Sequence, residues 1–516
     1  MFHFSPVQSH GYNAVILKRP NVLIHIFWLL VLLFPQFALS QTGAPTTTKT
    51  VLIVPFDNRS SAPGLEWISE AFPEVLGERL AAIQVNVISR DDRNYAFDRS
   101  GIPTSIHPSR ATLYRIGEQI DADYIVMGTY NYDGQTFQCS ADVLDMKRLR
   151  LTSTSPSRGE LTSLIQVETG LAWDVLQVIA PSSGGTREEF TRDAPAVRLG
   201  AFENYIRGVV ESDRTEKIKR LREAIRLNPH YTEAMFALGR TYYDEREYDE
   251  AASWLARIPK TDDLAGAANF LLGLSDYYNG DFDKADAAFR FLESRLPLTE
   301  VENNLGVVAA RRGRKNAVEY FQKAVQADPN DADYRFNLAL ALYKSGDAAG
   351  AARQLREAVA RRPDDIESRQ LLTTIGSGTT PVSTNPHLPV ERLKENYNES
   401  SYRQLALEIE NAMERSLAGT DPKTHAKFHV ERGREMLDKG LMKDAGRELR
   451  EAVMLDPTNA AAHAGLARIA ENKGDTATAR REAETSLQLS PTADAYIVLG
   501  RLDLRENHLD AAEKNA

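Results

Sequence analysis

A proline that returns at a near-constant interval constrains this chain more than any other feature. Pro229, Pro297, Pro329 and Pro363 stand 68, 32 and 34 residues apart, and Pro457 and Pro491 are again 34 apart. Each closes a pattern of small and large apolar residues in the same phase. One segment reads Met235-x2-Leu238-Gly239-x2-Tyr242 and then Ala251-x3-Leu255; the next has Leu272-Gly273, Ala285-x3-Phe289 and Pro297. Leu305-Gly306 with Ala317-x3-Phe321, and Leu338-Ala339 with Ala351-x3-Leu355, repeat it. So do Gly433 with Ala445-x3-Leu449, Leu466-Ala467 with Ala479-x3-Ala483, and Leu499-Gly500 with Ala512. Periods of roughly 20 to 50 residues mark repeat architectures.

Apolar positions three and four residues apart make each half-repeat an amphipathic helix. Gly or Ala after the Leu, and the Ala that opens the second helix, let the paired helices approach closely. The proline cannot continue the second helix and sets the turn to the next repeat. One such unit cannot bury its apolar face alone, so neighbours must stack.

These residues resemble the tetratricopeptide repeat family over residues 199–375 and 420–516. Met235, Asn269 and Arg335 stand where the family signature has Trp, and Ala201–Pro229 is a worn first repeat with a shortened turn. The resemblance implies an all-α superhelical solenoid with a concave groove lined by the first helix of each repeat. That groove takes an extended peptide or a partner helix. The positions carried over to it are Phe236, Arg240, Tyr243, Phe270, Tyr277, Asn303, Arg311, Phe336 and Tyr343. Val307 and Leu340 occupy places where a carboxylate clamp needs polar groups, which favours an apolar or aromatic-bearing partner.

Residues 22–39 form a long apolar run, with Lys18 and Arg19 before it and no acidic residue before Asp57. With Ala38-Leu39-Ser40 at its end, residues 1–40 read as a signal peptide, or else as a signal anchor. The expected location is the periplasm or cell envelope, with anchoring in the inner membrane through residues 22–39 as the alternative. Net charge is −10, which argues against a general nucleic-acid binder. A single cysteine, Cys139, cannot form an intramolecular disulfide, and on a strand it reads as a small buried hydrophobe.

After a short linker, Val51–Phe56 reads as a buried strand, residues 65–83 as a helix and Val85–Ile88 as a second strand. A helix over 110–120, strands over 124–128 and 136–143 around an Asp133-Gly134 turn, and a helix over 160–179 complete a small layered α/β domain. Val54-Pro55-Phe56-Asp57-Asn58, Val87-Ile88-Ser89-Arg90 and Ala122–Gly128 resemble the amino-terminal domain of TolB-like and FlgO-like envelope proteins. That resemblance spans residues 49–182 and implies protein contact at the envelope, or an accessory sensor or ligand-binding role.

The chain lacks G-x-x-x-x-G-K-[ST], G-x-G-x-x-G and H-E-x-x-H, so no nucleotide cradle, catalytic set or cofactor is expected. His425 and His429 share a helix face without an evident third ligand, and no metal site is expected. Residues 376–398 begin with a Gly-, Ser-, Thr- and Pro-rich stretch and read as a linker. Residues 399–418 read as an amphipathic helix that caps the first array, followed by a second array to 516. The last repeat stops just inside its second helix, so the native chain is expected to continue. The reading is α+β and multi-domain: an exported, non-enzymatic scaffold for a protein or peptide partner.

Overall fold

The computed structural model describes residues 49–515, except 82–84, 104–107, 182–185, 193–196, 378–387, 400, 403–411, 414, 415 and 418. The apolar run 22–39 lies outside the described residues, as does most of the expected capping helix 399–418. Among the described residues no helix is long and apolar enough to cross a membrane.

The strand-containing region comprises β1 (Thr50–Ile53), β2 (Asp57–Asn58), α1 (Ile68–Ala81), β3 (Asn86–Val87), α2 (Arg90–Arg99), α3 (Arg110–Gln119), β4 (Tyr124–Tyr132), β5 (Phe137–Asp145), β6 (Arg150–Ser153), β7 (Ser157–Gly159) and α4 (Leu164–Ile179). The sheet order is β3-β1-β4-β5-β6, with β2 also on β4 and β7 also on β5. β1 runs parallel to β3 and β4, whereas β4 and β5 form a nine-residue antiparallel ladder from Tyr124↔Asp145 to Tyr132↔Phe137. β5 alternates strictly, so Phe137, Cys139, Ala141 and Val143 face α1 and α4. Leu52, Val54 and Ile125 pack on the other side with Phe97 of α2 and Leu113 and Ile116 of α3. Helices thus cover both faces.

After the short α5 (Arg187–Arg192), the chain is helical. Helices pair in sequence: α6 (Leu199–Val210) with α7 (Arg214–Leu227), α8 (Thr232–Asp244) with α9 (Tyr248–Leu255), and α10 (Ala265–Tyr278) with α11 (Phe282–Glu293). Then α12 (Thr299–Arg311) pairs with α13 (Ala317–Ala327), and α14 (Ala332–Lys344) with α15 (Ala348–Arg361), before α16 (Ile366–Gly376). Farther along the chain come α17 (Pro422–Asp438), α18 (Met442–Leu455), α19 (Ala460–Asn472), α20 (Thr476–Leu489), α21 (Ala493–Arg505) and α22 (Leu509–Lys514).

The periodic prolines act through the residue before them. Asn228, Asp328, Arg362 and Asp456 end their helices with φ between −129° and −140° and ψ between 82° and 92°, because the proline ring excludes the α region at that position. Inside each hairpin the close approach is steric. A Cβ on Gly239 would sit 2.7 Å from Leu255, on Gly273 2.8 Å from Phe289, and on Gly306 2.6 Å from Phe321. From α8 onward the turn between paired helices uses a left-handed residue. Gly280, Gly313, Gly346, Gly440 and Gly474 supply it, and Arg246 and Asn507 adopt it at φ 61°.

The α/β region and the first hairpins share one core. Buried residues run without a break from Val51 through Leu76, Phe202, Leu221 and Leu238 to Ala268. Trp67 meets Phe202 edge-on at 5.9 Å, and Tyr205 of α6 donates to Glu74 of α1. Arg90 donates to the Val209 carbonyl at 2.6 Å and Arg207 to that of Gly64 at 2.7 Å. Farther along, Arg295 donates to the Gly440 carbonyl at 2.9 Å, and Met436 and Leu441 pack into the core of α10–α13.

Candidate functional site

Asparagine recurs at the 34-residue period on three first helices: Asn269 on α10, Asn303 on α12 and Asn337 on α14. Their face carries a passenger. Residues 388–398 leave the expected linker and run along it without secondary structure of their own. Asn337 grips Arg392 at both backbone groups: Arg392 N donates to Asn337 Oδ1 at 2.8 Å, and Asn337 Nδ2 donates to the Arg392 carbonyl at 2.8 Å. Asn303 Nδ2 adds a bond to the same carbonyl at 3.0 Å, while its Oδ1 accepts from Asn337 Nδ2 at 2.8 Å. Asn304 repeats the two-point grip on Lys394, with Lys394 N donating at 2.9 Å and the Lys394 carbonyl accepting at 2.8 Å. Asn398 N donates to Glu300 Oε1 at 2.7 Å. Asn303, Asn304 and Asn337 have no exposed surface. A side-chain amide offers both a donor and an acceptor, so it can stand in for a neighbouring strand.

The side chains of the segment are read as well. The Arg392 guanidinium lies 3.8 Å from the centre of the Phe336 ring and pairs with Asp333 at 2.9 Å, Asp365 at 2.7 Å and Glu367 at 2.8 Å. Lys394 pairs with Asp331 at 2.7 Å and Asp333 at 2.9 Å, over the ring of Tyr334. Tyr397 stacks on Phe270 at 4.9 Å, and Tyr278 donates to Glu395. Glu391 is nearly fully buried and meets Lys344 at 2.5 Å and Arg311 at 3.6 Å. Asp331 and Asp365 also cap α14 and α16, so the carboxylates that begin these helices are the ones that hold the basic side chains.

Electrostatics follow from that arrangement. Burial alone would raise the Asp333 carboxyl, but hydrogen bonds from Arg362 and Lys394 outweigh it and hold the group well below the usual carboxylate range. Asp365 meets the same opposition between burial and its bonds from Arg392 and Ser368, and is brought down to about 2. Arg392 is held more firmly charged, its own desolvation being overcome by Asp365, Glu367 and Asp333.

Of the residues expected to line the groove, Phe270, Asn303, Arg311 and Phe336 touch this segment, and Tyr277 accepts from Arg311 Nε at 3.0 Å. The other four lie in these surroundings. Phe236 packs against the core shared with the α/β region, and Tyr243 lies between that core and the next. Arg240 pairs with Asp91 of α2 at 2.7 Å. Tyr343 is buried in the cluster of Leu355 and Leu371, against which Leu388 of the segment packs. Sequence reasoning misses Asn304, Asn337, Glu300 and the acids Asp331, Asp333, Asp365 and Glu367; the 34-residue step from Asn269 to Asn303 to Asn337 is the signal that could have found the asparagines.

His429 Nδ1 lies 2.9 Å from Glu448, and its ring stacks on His425 at 5.0 Å. Among the described residues, Asp503, Glu506 and His508 bring possible ligand atoms within 4.8 Å of one another, but Arg480 already pairs with both carboxylates at 2.8 Å.

One prediction arises from the amide grip. Asn337→Ala leaves the Arg392 N–H without its acceptor and is expected to weaken docking of the segment by about 2 kcal/mol. Amide hydrogen exchange at Arg392 and Lys394 should then accelerate by about thirtyfold, the factor that such an energy implies. Unchanged protection would mean that the grip contributes nothing.

Models of the family described as tetratricopeptide repeat match residues 218–271 and 314–375, and a second such model matches 270–331. Residues 218–375 are tetratricopeptide repeats. Such repeats generally serve as protein-interaction scaffolds. Among solved structures, YrrB, titled a TPR protein with an unusual peptide-binding site, is 18% identical, with 34% of this chain and 92% of that one covered at a TM-score of 0.32. MamA from Desulfovibrio magneticus RS-1 is 18% identical over 31% of this chain and 92% of that one, TM-score 0.29. The LpoB C-terminal domain from Salmonella enterica is 14% identical over 22% of this chain and 84% of that one, TM-score 0.20.

A curated human protein named Protein O-mannosyl-transferase TMTC1 is 26% identical over 215 residues, which are 41% of this chain and 22% of that protein. This chain therefore spans about a fifth of the length of that relative. The match corrects the expectation that the chain is not an enzyme: the similar stretch occurs in a protein named as a transferase, so the repeats do not exclude one.

Proposed function

We propose that this chain is a protein-interaction scaffold that binds an extended segment of a partner on the face formed by α10, α12 and α14. The observation that carries the reading is the two-point grip of Asn337 and Asn304 on alternate residues of an extended backbone. Backbone recognition of this kind accepts many sequences, and the flanking aromatics and acids then select side chains. The α/β region, read as a TolB-like or FlgO-like domain, is joined to the first hairpins of the repeats through the shared core. The leader 1–40 and its apolar run 22–39 support export to the cell envelope as the setting.

The test is photo-cross-linking in living cells, with benzoylphenylalanine in place of Tyr277, which accepts from the Arg311 that pairs with Glu391 of the segment. An adduct with a second protein that disappears with Asn303→Ala is the expected result. Adducts confined to the chain's own residues 388–399, with none to a second protein even when Arg392→Glu and Lys394→Glu loosen the segment, would overturn the reading.

A further inference from the structure

The segment 388–398 occupies the face that a partner needs under the proposed function. We propose, resting on that function, that residues 390–398 are a self-ligand that closes this face, and that the partner is an extended basic peptide with Arg-x-Lys-x-x-Tyr spacing that displaces it.

Three observations carry this. First, recognition divides as it does for a bound peptide rather than for a packed element. The backbone of Arg392 and Lys394 is held by side-chain amides, while distinct subsites take the side chains. Arg392 enters a carboxylate set of Asp333, Asp365 and Glu367 under the Phe336 ring. Lys394 enters one of Asp331 and Asp333, and Tyr397 lies flat on Phe270. The chemistry of a competing occupant is therefore stated by the site: two cations two residues apart, then an aromatic ring three residues on.

Second, the fully buried parts of both cores come from helices, and the segment lies at their edge. Phe289, Leu305, Val308 and Phe321 form the core under α10–α13, with Leu393 and Tyr397 of the segment only partly buried against it; Leu340, Ala351, Leu355 and Leu371 form the core under α14–α16, with Leu388 partly buried against it. Third, the segment engages only part of the asparagine row. Asn269, one period before Asn303, donates at 2.8 Å to the Ala265 carbonyl of its own helix, so the row extends beyond what the segment uses. The segment meets α10 through Tyr397 on Phe270 and leaves the Asn269 amide turned to its own helix.

Tethering explains why such a device works. The stretch from Gly376 to Pro389, rich in Gly, Ser, Thr and Pro, joins the segment to α16, so it competes as an intramolecular ligand at an effective concentration of about millimolar. A partner's apparent affinity is then reduced by the fraction of molecules with the face open. Because the side-chain subsites are ion pairs, added salt loosens both self-ligand and partner.

The experiment uses the full chain and a fluorescein-labelled peptide of residues 388–399. Arg392→Glu with Lys394→Glu reverses the self-ligand's charge and leaves the face intact. This double variant should bind the peptide at least about tenfold more tightly than the wild type does. Adding Asn303→Ala and Asn337→Ala should abolish binding, and a peptide carrying Glu at both basic positions should not bind any variant. Circular dichroism and melting temperature report whether each variant is folded. Hydrogen exchange on the wild type with excess unlabelled peptide gives a readout that needs no substitution: protection at Arg392 and Lys394 of the chain itself should fall. Equal affinity for wild type and double variant would overturn the self-ligand while leaving the face a peptide receptor. No binding by a folded double variant would overturn the peptide receptor as well. A wild-type dimer that the charge reversal dissociates would show exchange of the segment between copies and overturn displacement by another protein.

Discussion

Gly128→Val is expected to prevent the α/β region from folding and to take the first helical hairpins with it. A Cβ on Gly128 of β4 would lie 2.2 Å from the Phe56 ring and 2.3 Å from the Ser140 backbone oxygen. Neither neighbour can withdraw. Ser140 is fixed by the β4–β5 ladder, where it pairs with Thr129 beside the Gly128↔Ala141 pair. Phe56 is stacked on Phe72 at 4.0 Å, and Phe72 in turn meets Tyr130 and Phe137. A β-branched residue therefore forces a shift in the sheet or in the aromatic cluster, a cost of more than about 4 kcal/mol. Because buried contacts continue from this region to Ala268, the loss should not stay local. The expected result in thermal melting followed by circular dichroism is insoluble protein, or loss of helix signal from α6–α9 together with the sheet. Gly500→Ala, where the nearest atom is 3.7 Å away, is the matched control and should melt like the wild type. A Gly128→Val protein whose repeats melt normally would separate the two regions and refute the shared core.

Particular residues show where the sequence is transparent. The 34-residue period is legible because helix pairing demands a small residue at a fixed place, and Gly239, Gly273 and Gly306 are each pressed against a large side chain. The strand β5 is legible because alternation is strict over its whole length. Helix α2 is not: its sequence RDDRNYAFDR has no apolar stripe, and the helix is fixed by the Ser89 cap and by burial of Arg93, Ala96 and Phe97. Register assigns Arg240 to the binding face, but the α/β region stands against it and Asp91 claims its charge. Register within a repeat says nothing about a neighbouring domain.

The docked segment is the least legible of all. An extended peptide held by side-chain amides needs no periodicity of its own, so Glu391–Asn398 reads as the end of a linker. Its acidic partners stand 25 to 63 residues away and are dispersed over the starts of α14 and α16. Complementarity of that kind becomes visible only when the fold brings Asp331, Asp333 and Asp365 to one place.

Glu168→Leu is expected to stabilise the chain at pH 8 and to flatten its stability–pH profile. Glu168 lies in the middle of α4 with no exposed surface, and neither carboxylate oxygen has a hydrogen-bond partner among the described residues. Burial penalises the charged form and pushes its carboxyl well above the usual range. The direction with pH comes from that. A carboxyl raised in the folded state binds its proton more tightly there than in the unfolded chain. Its contribution is greatest below the unfolded value of 4.5 and is lost as pH rises toward the folded value. Leucine has a similar volume, cannot ionise and removes the unmet polar atoms, a gain of about 2 kcal/mol. The urea midpoint of the variant should exceed that of the wild type at pH 8, and the gap should narrow at pH 5. Glu168→Gln separates the two parts of the effect: it removes the charge but keeps a buried polar group, so it should flatten the profile without the full gain. Some slope should survive in both variants, because burial also pushes Glu233 of α8 up to about 7. A gap between wild type and Glu168→Leu that stays constant from pH 5 to pH 8 would show that packing, not ionisation, sets the difference.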